Sequence, residues 1–211
     1  MKSHIEIVTG FLGSGKTSFI NFLINSTLIS NEKIIVIHCE KGEKSLDNNI
    51  ETNPQVIINF YPPTQALTEE YIKHLLYLHK PHRIIIEANG TSPLDKLLNI
   101  LGKKSLRKFC KITTIYYITD AKTFNVYFNN MLNIFLPSIQ FSNLILINNT
   151  EQIDKKELDS IKSKLDLLNP YAYLIEINKI NLMGSIIGKM NILDNGLQKK
   201  LRIFIKNLLY K

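Results

Sequence analysis

Between an apolar run ending at Thr9 and a helical pattern starting near Ser18 lie Gly10-Phe11-Leu12-Gly13-Ser14-Gly15-Lys16-Thr17. Glycines, a lysine and a hydroxyl fall there at the spacing G-x-x-x-x-G-K-[ST], which makes a phosphate-binding loop when a strand precedes it and a helix follows. Glycines allow successive backbone N–H groups to turn inward into a concave nest for phosphate oxygens. The helix N-terminus beyond them adds partial positive charge at the same spot. Gly10, Gly13, Ser14, Gly15, Lys16, Thr17 and Ser18 are therefore the expected phosphate-binding set. Within it, Lys16 would reach the β- and γ-phosphates and the Thr17 hydroxyl would ligate Mg²⁺. The chain binds a nucleoside triphosphate, or descends from one that did.

Other residue types extend that chemistry. Glu87 closes the hydrophobic run Ile84-Ile85-Ile86, a strand end from which a carboxylate can hold a water of the Mg²⁺ shell; capping of the next turn is the alternative. Gly90, just beyond, offers a backbone N–H to a γ-phosphate, so Lys16, Glu87 and Gly90 are the candidate catalytic groups. Glu40 and Glu43 flank Gly42 and can approach Mg²⁺ or a second metal, or can be plain solvated charges. Thr17, Glu40, Glu43 and Glu87 make up the candidate metal set. Asp120 precedes a helical pattern, where an N-cap explains it at least as well as chemistry. His38 and Cys39 are softer ligands next to Glu40 and Glu43, but neighbours on a strand face opposite ways. With Glu43 they would form an open site of three ligands, so no tight zinc or nickel site is expected within one chain. His74, His79 and His82 read as solvated residues on or after a surface helix.

The elements that must position these groups alternate along the chain. Buried strands are expected at 4–9, 33–38, 55–59, 83–87, 112–119, 143–147 and 173–177, and helices at 18–28, 121–133, 154–168 and 197–209. Another helix follows Pro62-Pro63, capped by Thr64 or Thr68, with Leu67, Tyr71, Leu75 and Leu78 on one face. Pro93 suits the first turn of a helix through Leu101. This rhythm predicts an α/β fold, a mostly parallel sheet with helices on both faces, in one nucleotide-binding domain over 1–211 with no second domain. Residues 39–54 are polar and aperiodic, which suits a mobile loop that orders when Mg²⁺ and a γ-phosphate are present.

Taken in order, the motifs resemble those of the CobW-like family of P-loop GTPases, which belongs with the nickel-insertion GTPases. The match begins at Val8-Thr9 and runs through the phosphate loop. Cys39-Glu40-Lys41-Gly42-Glu43, with Asp47, looks like the family's Asn-Glu-Phe-Gly-Glu switch segment. Ile84 to Gly90 looks like its Walker B strand ending in Glu-x-x-Gly, and Ile118-Thr119-Asp120-Ala121 like its Val-Val-Asp-Ala strand end. Asn148-Asn149-Thr150-Glu151 occupies the place of the base motif Asn-Lys-x-Asp, making Asn148 and Glu151 the expected base-binding residues.

The resemblance implies Mg²⁺ and GTP as ligands, slow hydrolysis, and a switch that delivers a metal or activates a metalloprotein or cobalamin-dependent client. A nucleotide-dependent homodimer also fits. Three departures stand out. Residues 44–83, where the family carries Cys-x-Cys-Cys, contain no cysteine. The base motif has Asn149 for the lysine and Glu151 for the aspartate, which weakens guanine preference and leaves ATP possible. The family's smaller C-terminal domain has no counterpart in these residues. A non-hydrolysing adaptor module and an ATP-using P-loop enzyme stand as the alternatives.

Composition agrees with a folded domain. There are 26 Lys and Arg against 18 Asp and Glu, a formal charge of +8, with 45% hydrophobic residues. That apolar content excludes a disordered chain, and no apolar run approaches the ~20 residues that span a bilayer. The basic residues are spread rather than gathered into a binding motif, so neither nucleic acid nor a membrane is an expected partner. Two cysteines, Cys39 and Cys110, suit a reducing cytoplasm better than a disulfide framework.

Overall fold

The computed structural model describes residues 2–40, 42, 44–178, 199, 203 and 205–207. Seven strands form one all-parallel sheet: β1 (Ser3–Thr9), β2 (Ile34–His38), β3 (Val56–Phe60), β4 (Arg83–Glu87), β5 (Cys110–Asp120), β6 (Leu144–Asn148) and β7 (Tyr173–Glu176). Their order is β3-β2-β4-β1-β5-β6-β7. The helices are α1 (Lys16–Thr27), α2 (Asn48–Glu51), α3 (Glu69–His79), α4 (Leu94–Leu101), α5 (Lys104–Arg107), α6 (Ala121–Gln140) and α7 (Lys155–Leu168).

The strands read as continuous β-branched runs because both faces of the sheet are covered. Val8, Ile34, Val36, Ile85 and Leu146 pack against Phe19, Ile20, Leu23 and Ile24 of α1. Their neighbours Ile5, Ile7, Ile35, Ile37, Ile84 and Ile86 turn to the other face, beneath Ile72 and Leu75 of α3, Leu94 of α4 and Leu106 of α5. Further along that sheet, Tyr117, Ile145 and Ile147 lie under α6 and α7. At the N-terminal end of the strands a buried charge network ties β1, β4 and α1 together. Arg83 Nη1 lies 3.3 Å from Glu6 Oε2 and 2.8 Å from Thr27 Oγ1, while Arg83 Nε lies 3.3 Å from Glu32 Oε1. Lys199 Nζ lies 3.0 Å from the other Glu32 oxygen.

One alternative is decided and three local expectations change. Thr68, not Thr64, caps α3, its hydroxyl accepting from Tyr71 N at 3.2 Å. The inward face of α3 is Ile72, Leu75 and Leu76, an i, i+3, i+4 stripe that leaves Leu78 exposed on the far side. Helix α6 continues past Asn133 to Gln140, with non-helical backbone at Met131 upstream of Pro137, whose missing N–H denies Asn133 its helical bond. Pro93 stands at the N-cap of α4 rather than inside it.

The stretch 39–54 is also more structured than its polarity suggests. Leu46 and Ile50, four residues apart, are buried against α1, and Ile50 belongs to the short helix α2, which Asp47 and Thr52 bracket. Asn21 and Asp47 exchange two hydrogen bonds, Asn21 Nδ2 to Asp47 Oδ1 at 2.9 Å and Asp47 N to Asn21 Oδ1 at 3.0 Å. The helix expected at 197–209 falls mostly outside the described residues, of which 199, 203 and 205–207 are helical. No helix among the described residues is long and apolar enough to cross a membrane.

Candidate phosphate-binding site

The loop joining β1 to α1 sits at the C-terminal end of the central strand, between β4 and β5, where an open α/β sheet has its binding crevice. Its backbone requires glycine. Gly10 has φ 139°, and a Cβ there would lie 2.0 Å from the Ile118 carbonyl oxygen. Gly15, with φ 106°, is the N-cap of α1. Gly90 closes the other side: a Cβ on it would lie 2.4 Å from the Gly10 carbonyl oxygen. Phe11 anchors the loop laterally by stacking on Tyr127 of α6, with ring centroids 3.9 Å apart and planes within 6°.

Lys16 is almost wholly buried at the start of α1. Its ammonium donates to Gly10 O at 2.7 Å and Phe11 O at 2.8 Å, and pairs with Glu40 Oε1 at 2.5 Å. The second Glu40 oxygen accepts the Gly90 N–H at 3.0 Å. Glu40, a candidate metal ligand from the sequence, lies across the two donors expected to meet a terminal phosphate. Next to this group, the Thr17 hydroxyl donates to Glu87 Oε1 at 2.7 Å, and His38 Nδ1 is hydrogen-bonded to Glu87 Oε2. All three side chains are buried. His38 and Glu87 are register partners on neighbouring strands, so they share a face, and the aromatic ring of Phe60 stacks on the imidazole. Glu43 lies outside the described residues, and Ser18 takes its place in the first turn of α1.

The site continues beyond the phosphate loop to the ends of β6 and β7. Asn148 Nδ2 donates to Ser14 O at 3.2 Å, tying the base motif to the loop. Asn149, in the left-handed region at φ 59°, donates to Asp120 Oδ2 at 2.6 Å, and the other Asp120 oxygen caps α6 through Lys122 N. Glu151 stands exposed in the single 3₁₀ turn Thr150–Gln152. Thr150 Oγ1 donates to Asn178 Oδ1 at 3.0 Å, which brings the residue after β7 to the same edge. Ser14 Oγ and Asn148 Oδ1 are buried without a protein partner. Orphaned polar atoms of this kind call for a polar ligand, and the donor set around them is the chemistry of a nucleotide phosphate and a hard cation.

The two cysteines are free and buried. Cys39 lines a cavity of about 300 Å³ bounded by Pro63, Leu67, Ser92 and Leu97. Burial, then the nearby charges of Glu87 and Glu40, push its thiol up to about 12; burial pushes Cys110 up to about 11. At pH 8 the Cys39 thiolate is then about one part in ten thousand. Both thiols are expected to resist iodoacetamide at pH 8 while the chain is native and to react once it is unfolded; rapid native alkylation of Cys39 would contradict this environment. Among the described residues no three His, Cys, Asp or Glu side chains converge as a metal site.

Position in sequence pointed to the loop, Glu87 and Gly90 separately, and the structure brings them together. The roles of His38 toward Glu87 and of Glu40 toward Lys16 went unread. A signal for the first existed, since both residues end buried strands that parallel pairing places side by side.

Residues 4–176 match the family described as CobW/HypB/UreG, nucleotide-binding domain. The zinc-regulated GTPase metalloprotein activator 1 of Dictyostelium discoideum is 23% identical over 239 residues, covering 93% of this chain and 49% of that protein. This chain thus spans about half the length of that curated relative. Zn(II)-bound YjiA GTPase from E. coli superposes with a TM-score of 0.66 at 20% identity, over 92% of this chain and 62% of that one. The hydrogenase maturation factor HypB of Archaeoglobus fulgidus gives 0.57 at 17% identity, over 90% of both chains.

Proposed function

This chain belongs to the CobW/HypB/UreG nucleotide-binding-domain family, and from that premise we propose that it binds GTP with Mg²⁺ and hydrolyses it slowly. The observation that carries the proposal is the convergence of Lys16 Nζ and the Gly90 N–H on one anionic group at the mouth of the phosphate loop. A site that holds two carboxylate oxygens this way is built for a terminal phosphate. Thr17 Oγ1 and the Glu87 carboxylate, 2.7 Å apart, are the groups placed to hold Mg²⁺, Glu87 directly or through a water. Bound there, Mg²⁺ would neutralise charge on the β- and γ-phosphates. Lys16 takes up the negative charge that develops on the phosphates, and the Gly90 N–H donates to the terminal one. His38 holds the Glu87 carboxylate in its orientation.

The family and its relatives support a switch role in metal delivery or in activating a metalloprotein or cobalamin-dependent client. The lack of cysteine in 44–83 weighs against direct carriage of a metal by these residues. A nucleotide-dependent homodimer and a cytoplasmic location belong to the same proposal. The test is phosphate release from GTP by the purified chain: turnover that stops on removing Mg²⁺ supports hydrolysis, whereas binding without turnover favours the adaptor reading.

Base preference follows from the edge formed by Asn148 and Glu151. The Glu151 carboxylate has one methylene more than an aspartate, which misplaces a bidentate pair with guanine. GTP is expected to bind better than ATP by a modest factor, and Glu151→Asp should widen the gap by roughly tenfold, the order of one recovered base contact. Competition between the two nucleotides measures it; tighter ATP binding by the unaltered chain overturns the guanine assignment.

A further inference from the structure

Resting on that reading of the site, we propose that Glu40 is a built-in competitor of the terminal phosphate and sets the preference between nucleoside triphosphate and diphosphate. Lys16 carries three N–H bonds, and all three are used: two on the Gly10 and Phe11 carbonyls, one on Glu40 Oε1. The Gly90 N–H is used by Glu40 Oε2. One carboxylate therefore satisfies both groups that face a terminal phosphate, and does so with charge-assisted bonds from partners that are mostly buried.

Both donors converge on the same carboxylate. Gly90 is seated closely on Gly10, where a Cβ would meet the loop carbonyl at 2.4 Å, and its one N–H is already taken by Glu40. A terminal phosphate and the Glu40 carboxylate are both negative, and at hydrogen-bond spacing in a buried site they repel strongly. A triphosphate must expel Glu40. A diphosphate leaves the terminal position to the carboxylate, which stays. The side chain thereby lowers triphosphate affinity selectively and leaves the site when, and only when, a terminal phosphate arrives.

The size of the effect follows from occupancy: a competitor that holds the site about nine-tenths of the time weakens the ligand about tenfold. The experiment is calorimetric titration of the unaltered chain, Glu40→Gln and Glu40→Asp with GDP and with a non-hydrolysable GTP analogue, each with Mg²⁺. Circular dichroism verifies that the variants are folded. Glu40→Gln removes the charge and is expected to tighten the analogue about tenfold while GDP changes less than twofold. Glu40→Asp keeps the charge but cannot span both donors, and should fall between. Equal shifts for both nucleotides, or none, overturn the proposal. So does weaker analogue binding in Glu40→Gln, the result expected if Glu40 instead ligates Mg²⁺ beside the triphosphate. Failure of the unaltered chain to bind either nucleotide would remove the phosphate-loop reading itself, and this proposal with it.

Discussion

Lys16→Ala is expected to weaken GTP binding by about 100-fold, because one charge-assisted bond from a buried ammonium to a phosphate oxygen is worth up to about 3 kcal/mol. The lysine is buried at the floor of the loop, and two of its protons are spent on the Gly10 and Phe11 carbonyls, which aim the third outward. The other donors of the loop are uncharged backbone N–H groups and hydroxyls, and the Lys44 ammonium reaches only the Ser18 hydroxyl, at 3.3 Å. The variant also leaves Glu40 without its cationic partner, so the measurement needs a folded-state check by thermal melting alongside calorimetry. Unchanged affinity in a folded Lys16→Ala chain would remove the phosphate loop from the account.

Glu87→Gln is the second large effect. The carboxylate sits between the Thr17 hydroxyl and His38 at the end of β4, buried and held through both oxygens. Replacing it with an amide keeps the shape but removes the charge that favours Mg²⁺ and its waters. Turnover of GTP is expected to fall by about 100-fold, the order seen when one electrostatic group is removed from a preorganised site. Nucleotide binding without Mg²⁺ should change little, because Lys16 and the loop amides are untouched. A Glu87→Gln chain with the same Mg²⁺ dependence as the unaltered one would assign Glu87 to capping alone.

The fold was legible where the signal is local. Continuous runs such as Ile84 to Ile86 can be satisfied only by a strand covered on both faces, and the phosphate loop is a spacing written in eight consecutive residues. Thr68 was readable as a cap for the same reason. What escaped depends on pairs distant along the chain. His38 and Glu87 are 49 residues apart, and only the parallel pairing of the two strands they end brings them together. Asn149 reaching Asp120, and Glu40 folding back over Lys16, arise because the sheet brings strand ends to one rim. Within 44–54, Leu46 and Ile50 supply the apolar contact with α1, and their polar neighbours conceal them in the sequence.

The most direct test of the central claim is calorimetric titration of the purified chain with GTP and with ATP, each with and without Mg²⁺. The account predicts one GTP bound per chain, with affinity raised by Mg²⁺ and greater than that for ATP. No binding of either nucleotide under any of these conditions would contradict it.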